Sequence, residues 1–157
     1  MPTLYHGSNR LFEQPALNEA RDRRDFGMGF YTTTLKSQAE DWAKSMATRQ
    51  GGDPYLYTFE FSPSDDLTVK EFPEISVEWL ELVKANRVLG GVQHIFDVVI
   101  GPVANDNTMR TIANYVAGIY DAEEAMRRLR YFDVNDQVSL HTPRAMTCLQ
   151  LKDREYV

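Results

Sequence analysis

Tyr55, Tyr57, Phe59 and Phe61 alternate with Leu56, Thr58 and Glu60, the two-residue period of a strand that gathers its aromatic rings on one face. Further strands are expected at residues 3–6, ended by Gly7-Ser8-Asn9, and at 67–72, 96–100, 137–141 and 149–151. The run Phe96-Asp97-Val98-Val99-Ile100, bounded by Gly101-Pro102, is β-branched enough to be a buried strand. Ser37 with Glu40 is a capping-box signature, and Ala39, Trp42, Ala43 and Met46 carry helical spacing to about residue 50, where Gly51-Gly52-Asp53-Pro54 stops it. Ser76 caps a helix over 76–87 that turns Trp79, Leu80 and Val83 inward. Met109, Ile112, Val116 and Ile119 form a helical stripe capped by Asn107, and Asp121 with Glu124 starts a basic helix reaching about residue 130. Thr142-Pro143 opens a short helix. Strands and helices mix without regular β-α-β alternation, which predicts an α+β fold. No internal repeat or linker is visible, so residues 1–157 are expected to form a single domain.

Composition narrows the function classes. With 43% hydrophobic and 25% charged residues the chain is expected to be globular. No apolar stretch approaches the roughly 18 residues of a membrane span, and Met1-Pro2-Thr3-Leu4 leads into strand-like sequence without a signal region, so the expected setting is cytoplasmic, without membrane. A lone Cys148 cannot form an intramolecular disulfide and is expected in the core. The formal charge of −6 argues against a broad surface for nucleic acid. It leaves room for a small basic cleft, with Arg21, Arg23 and Arg24 in one cluster and Arg127, Arg128 and Arg130 in another. Three scattered histidines and one cysteine have no metal-ligand spacing, so no metal is expected, and His94 and His141 are assigned structural roles. The aromatic strand is assigned to the core rather than to base stacking, and neither a nucleophile elbow nor a Gly-Lys-Ser/Thr phosphate loop occurs.

The informative pair is His6, at the end of a strand, and Tyr31, which closes the glycine-containing segment Asp25-Phe26-Gly27-Met28-Gly29-Phe30 and precedes Thr32-Thr33-Thr34. Tyr5-His6-Gly7-Ser8 followed by Gly29-Phe30-Tyr31-Thr32-Thr33 resembles the first two motifs of the ADP-ribosyltransferase superfamily. More narrowly, Leu4 to Ser8, Asp25 to Tyr31, Asp97 to Asp106 and Asp136 to Thr142 resemble the bacterial DUF3990 family, in order and over nearly the whole chain. The resemblance implies a split, strongly bent β-sheet core with flanking helices that grips NAD as substrate. It implies that His6 bonds the adenosine ribose, that Tyr31 stacks on nicotinamide, and that main chain near Gly7 binds the nicotinamide amide. The implied NAD-contacting set is His6, Gly7, Ser8, Arg24, Asp25, Gly29, Phe30, Tyr31 and Thr32, with Arg24 suited to pyrophosphate because a guanidinium can make two parallel bonds to phosphate oxygens. Gln137 falls where the third motif is expected. Many relatives carry Glu there, and an amide can hydrogen-bond a ribose but offers neither charge nor a general base. Asp106 is the first candidate for that base and Asp25 the second.

The expected function is therefore a mono-ADP-ribosyltransferase, the toxin of a toxin–antitoxin pair with a cognate antitoxin protein as partner. An acidic surface places a protein or small-molecule acceptor slightly ahead of nucleic acid. The alternatives are an NAD glycohydrolase on the same fold, a relative that transfers ADP-ribose to phosphate or RNA ends, a module that binds NAD or a partner without turnover, and a structural interaction domain.

Overall fold

Strand β1 (Thr3–Ser8) begins a three-stranded antiparallel sheet of order β1-β3-β7, with β3 (Tyr55–Phe61) in the centre and β7 (Leu149–Tyr156) at the far edge. In this computed structural model, residues 2–17, 24–102, 106–129 and 136–157 are described, except for the side chains of 106, 107 and 109. A second sheet has the order β2-β6-β5-β4, from β2 (Phe30–Thr32), β6 (Asp136–Leu140), β5 (Val98–Pro102) and β4 (Val69–Glu71). Its β4–β5 pair is parallel and its other pairs are antiparallel. The sheets meet where Tyr5 and Thr33 exchange two main-chain bonds of 2.8 and 2.9 Å, so edge strand β1 of one sheet lies beside edge strand β2 of the other. With five helices among the described residues, the fold is a mixed α+β arrangement.

Helix α1 (Lys36–Gln50) packs on β1 through buried Ala39, Ala43 and Met46. The contact is close enough that a Cβ on Gly7 would stand 2.1 Å from the Ala39 carbonyl oxygen, so only glycine fits. Helices α2 (Val77–Leu89), α3 (Asp106–Val116) and α4 (Ala122–Leu129) cover the second sheet with Trp79, Leu80, Val83, Ile112, Tyr115 and Leu129. Trp79 is fully buried and donates its indole N–H to the Pro102 carbonyl at 3.1 Å, so its one polar atom is satisfied. Leu4 and Phe61 from the first sheet meet Val98, Val138 and Leu140 from the second, and Ala145 of the short α5 (Pro143–Met146) closes that layer. Asp97, 3% exposed, holds the corner: it accepts from the Thr68 amide at 2.8 Å, the Thr142 hydroxyl at 2.6 Å and Arg144 at 2.8 Å. These donors hold its carboxyl well below the usual carboxylate range.

Several expectations hold. Ser76 accepts from the Trp79 amide at 3.1 Å, Thr142 from the Ala145 amide at 3.3 Å, and Asp121 from the Glu124 amide at 2.8 Å. Others are corrected. Ser37 does not cap α1: the helix starts at Lys36, its cap position is Leu35, and the preceding turn is held by the Thr33 hydroxyl accepting from the Leu35 amide at 3.1 Å. Trp42 shares the helical spacing but is 41% exposed, because α1 seats its alanines on β1 and rolls the indole outward. Strand β1 continues through Gly7 and Ser8, and β7 runs on to Tyr156, since β3 is long enough to pair with both along its length. Strand β4 is shorter than expected, and β5 is shifted to 98–102 because Asp97 is engaged with Thr68. Helix α3 starts one residue before Asn107, whose side chain lies outside the described residues with that of Met109. Ile119 falls beyond α3 and is 69% exposed, because the chain turns at Gly118 with φ 79°. Cys148 is half-buried at the edge of the inter-sheet layer rather than within it. Arg21, Arg23 and Arg130 lie outside the described residues. No described helix is long and apolar enough to cross a membrane.

Candidate functional site

A cleft of about 820 Å³ opens over the seam between the sheets. Strand β1 gives one wall, β2 with the start of β6 the other, and α1 the side between them; the segment around Phe12 forms a rim. His6, Gly7, Ser8, Arg24, Asp25, Gly29, Phe30, Tyr31, Thr32 and Gln137 all line it, although they are drawn from both ends of the chain. The Asp106 side chain lies outside the described residues.

His6 is stacked on Phe30 with ring centroids 4.3 Å apart and is flanked by Phe12 and Tyr57. Its Nδ1 lies 2.6 Å from the Tyr31 carbonyl oxygen; a carbonyl only accepts, so Nδ1 carries the hydrogen and Nε2 is left as an acceptor. Burial pushes the imidazole down to about 4, so it is neutral at pH 7. Phe12 is itself fixed by stacking on Tyr57 at 3.9 Å, and the Tyr57 hydroxyl donates to the Arg10 carbonyl at 2.7 Å while accepting from the Phe12 amide at 2.9 Å.

Tyr31 keeps its polar end out of the cleft. Its hydroxyl donates to the Gly27 carbonyl at 2.6 Å and accepts from the Phe26 amide at 2.9 Å, and burial raises it above its usual range. Gly27 allows this return with φ 91°, a value most side chains resist. Two histidines grip the same turn: His94 bonds the Phe26 carbonyl at 2.8 Å and His141 the Met28 carbonyl at 2.7 Å, the structural roles expected of them. Over the exposed part of the Tyr31 ring lies the Arg24 guanidinium, 4.2 Å from the ring centroid and 6.0 Å from that of Trp42. The Thr32 hydroxyl donates to the Val138 carbonyl at 2.8 Å and so serves the sheet.

Gln137 is 5% exposed, and its Nε2 donates to Asp25 Oδ2 and to the Pro102 carbonyl, both at 3.2 Å. With both hydrogens committed, the carbonyl is the part of this amide left for a ligand. Asp25 is in turn held by Arg87, whose Nε donates at 3.1 Å and whose Nη2 bonds the same oxygen. Gln38, in the first turn of α1, reaches across to donate to the Asp136 carbonyl at 2.8 Å, next to Gln137 in the chain.

Residue pattern alone did not single out Gln38, Trp42, Arg49 or Arg87, all of which line the cleft. Gln38, Trp42, Ser45 and Arg49 share one face of α1, and their i, i+4, i+7, i+11 spacing is the signal that marks them once Trp42 is read as exposed. Four arginines against two aspartates line the cleft of a chain whose formal charge is −6, so its field favours an anionic ligand. Among the described residues, no group of three or more His, Cys, Asp or Glu side chains is placed to hold a metal ion.

Comparison with family models finds a match over residues 2–151, to a family described as a protein of unknown function, DUF3990. The chain belongs to the DUF3990 family. No curated protein and no solved structure matches it. In this DUF3990 protein the matched span includes every residue named above as lining the cleft.

Proposed function

We propose that this DUF3990 protein is an NAD-cleaving mono-ADP-ribosyltransferase whose site is the cleft between β1, β2 and α1. The observation that carries the reading is the Arg24 guanidinium over Tyr31, in a cleft walled by His6 and Gln137. A flat cation already rests on that ring, and a nicotinamide ring in NAD is another flat cation. A neutral His6 with Nε2 free to accept suits a ribose hydroxyl, and the arginine-rich lining suits a pyrophosphate. Two sheets meeting beneath the cleft agree with the split core that this reading expects.

In the reaction, the bond between ribose C1 and the nicotinamide nitrogen breaks and its electron pair neutralises the pyridinium. The ribose carries the positive charge until a nucleophile attacks C1 and loses its proton. The Gln137 carbonyl can accept from a ribose hydroxyl, and Asp25 behind it supplies the negative charge that an amide lacks. Asp25 thus becomes the preferred acidic partner in the mechanism. As part of the same proposal, an antitoxin would act by covering this cleft.

The test is nicotinamide release from NAD by wild type, His6→Ala and Tyr31→Ala, each checked for folding, with and without cell lysate. Release that needs both residues and rises with lysate supports transfer to a macromolecule. The amide at position 137 favours a second reading, NAD binding without turnover; measurable binding with no release under any condition would select it.

A further inference from the structure

Gln38 makes a hydrogen bond with only one end of its amide. Nε2 is fixed by the Asp136 carbonyl at 2.8 Å, while Oε1 is buried and, among the described residues, is the one buried side-chain polar atom without a hydrogen-bond partner. Leaving a buried carbonyl unmatched costs about 1–3 kcal/mol, and folded proteins keep few such groups. Gln38 also lines the cleft, beside the chain position that leads into Gln137. A donor that enters the cleft and draws the Gln38 side chain towards it can supply the missing partner.

We propose that Gln38 receives the incoming nucleophile: its side-chain carbonyl accepts a hydrogen bond from an N–H or O–H of the acceptor, which selects uncharged hydrogen-bond donors over carboxylates and phosphates. This rests on the NAD-cleaving reading and names its acceptor chemistry. The neighbouring groups point the same way. The Thr33 hydroxyl, at 2.5 Å, and the Thr34 hydroxyl and amide all donate to the Asp136 carboxylate, so their hydrogens are spent. Gln137 presents a second carbonyl, since its Nε2 serves Asp25 and Pro102. A carboxylate or phosphate without a hydrogen has nothing to give these two carbonyls; a hydroxyl, amide or ring amine would give Oε1 the hydrogen it lacks. In the transfer, the nucleophile's lone pair forms the new bond to C1, nicotinamide leaves with the old pair, and the nucleophile's hydrogen departs as a proton to water.

The test uses the full chain, as wild type, Gln38→Met and Gln38→Asn, with NAD and, separately, methanol, 1-methylcytosine, acetate or inorganic phosphate. Adducts, free ADP-ribose and nicotinamide are quantified, and thermal melting is recorded on the same samples. Gln38→Asn draws the amide back by one methylene and carries the test if Gln38→Met melts early. Wild type is expected to form adducts with methanol or with 1-methylcytosine, which separates oxygen from nitrogen acceptors, and none with acetate or phosphate. In the variants the ratio of adduct to free ADP-ribose is expected to fall about tenfold further than nicotinamide release does, the worth of one hydrogen bond. Acetate or phosphate adducts, an unchanged ratio, or nicotinamide release without any adduct would overturn the assignment of Gln38 alone. Wild type that releases no nicotinamide would remove the NAD-cleaving reading and this one with it.

Discussion

Gln137 donates to the Asp25 carboxylate across 3.2 Å, joining residues 112 positions apart. The contact pairs the amide at the third-motif position with a buried acid, and Arg87 holds that acid from the other side. Asp25→Asn keeps the shape and removes the charge. If that charge supports the ribose cation, nicotinamide release falls by at least about tenfold while NAD binding changes less. Equal release by the variant and wild type would show that the charge is not used.

The Tyr31 hydroxyl is tied to the turn and its ring faces Arg24, so the two halves of this side chain should separate experimentally. Tyr31→Phe loses two buried hydrogen bonds and is expected to lower stability by about 1–3 kcal/mol in chemical denaturation. Turnover per folded molecule should stay close to wild type, whereas Tyr31→Ala should abolish it. A Phe variant as inactive as the Ala variant would move the function from the ring to the hydroxyl.

Gly7→Ala places a methyl 2.1 Å from the Ala39 carbonyl oxygen and 2.9 Å from the Ala43 nitrogen, both of them helix backbone. α1 must lift off β1 to admit it, at a cost of about 3 kcal/mol or more. Urea unfolding should show the midpoint drop, and because α1 walls the cleft, NAD affinity should fall as well. An unchanged midpoint would mean that α1 is free to shift.

Acid should weaken the fold. Burial pushes His6 and His141 down to about 4, and His94 is lowered too, while unfolded histidine titrates near 6.5. Between these values the unfolded chain binds more protons, so stability is full above about pH 6.5 and declines as pH falls towards 4. Every tenfold difference in proton affinity between the unfolded and folded chain corresponds to about 1.4 kcal/mol per group. The melting temperature should drop across this window, with a shallower slope in His141→Gln; a flat profile would contradict the burial of these rings.

Much of the architecture was legible because it depends on local spacing: the aromatic alternation in β3, Ser76 at the start of α2, and Thr142-Pro143 at the start of α5. What escaped depends on neighbours distant in sequence. Ser37 lost its expected cap because the turn before α1 is tied to Asp136, about a hundred residues later, and to Thr33. Trp42 has the spacing of a core residue, yet the seating of Ala39 and Ala43 on β1 decides which way α1 faces. His6, Tyr31, Gln137 and Asp25 were found through motif resemblance and do line one cleft, but the bond from Gln137 to Asp25 and the half-bonded Gln38 emerge only when β6 is laid beside β2.

The two walls of the cleft belong to different sheets, and the ladder between those sheets is one residue pair long, Tyr5 with Thr33. His6 lies immediately after that rung on one side and Tyr31 two residues before it on the other. A molecule touching both would act as a staple across the join, so that filling the cleft also resists the parting of its two walls.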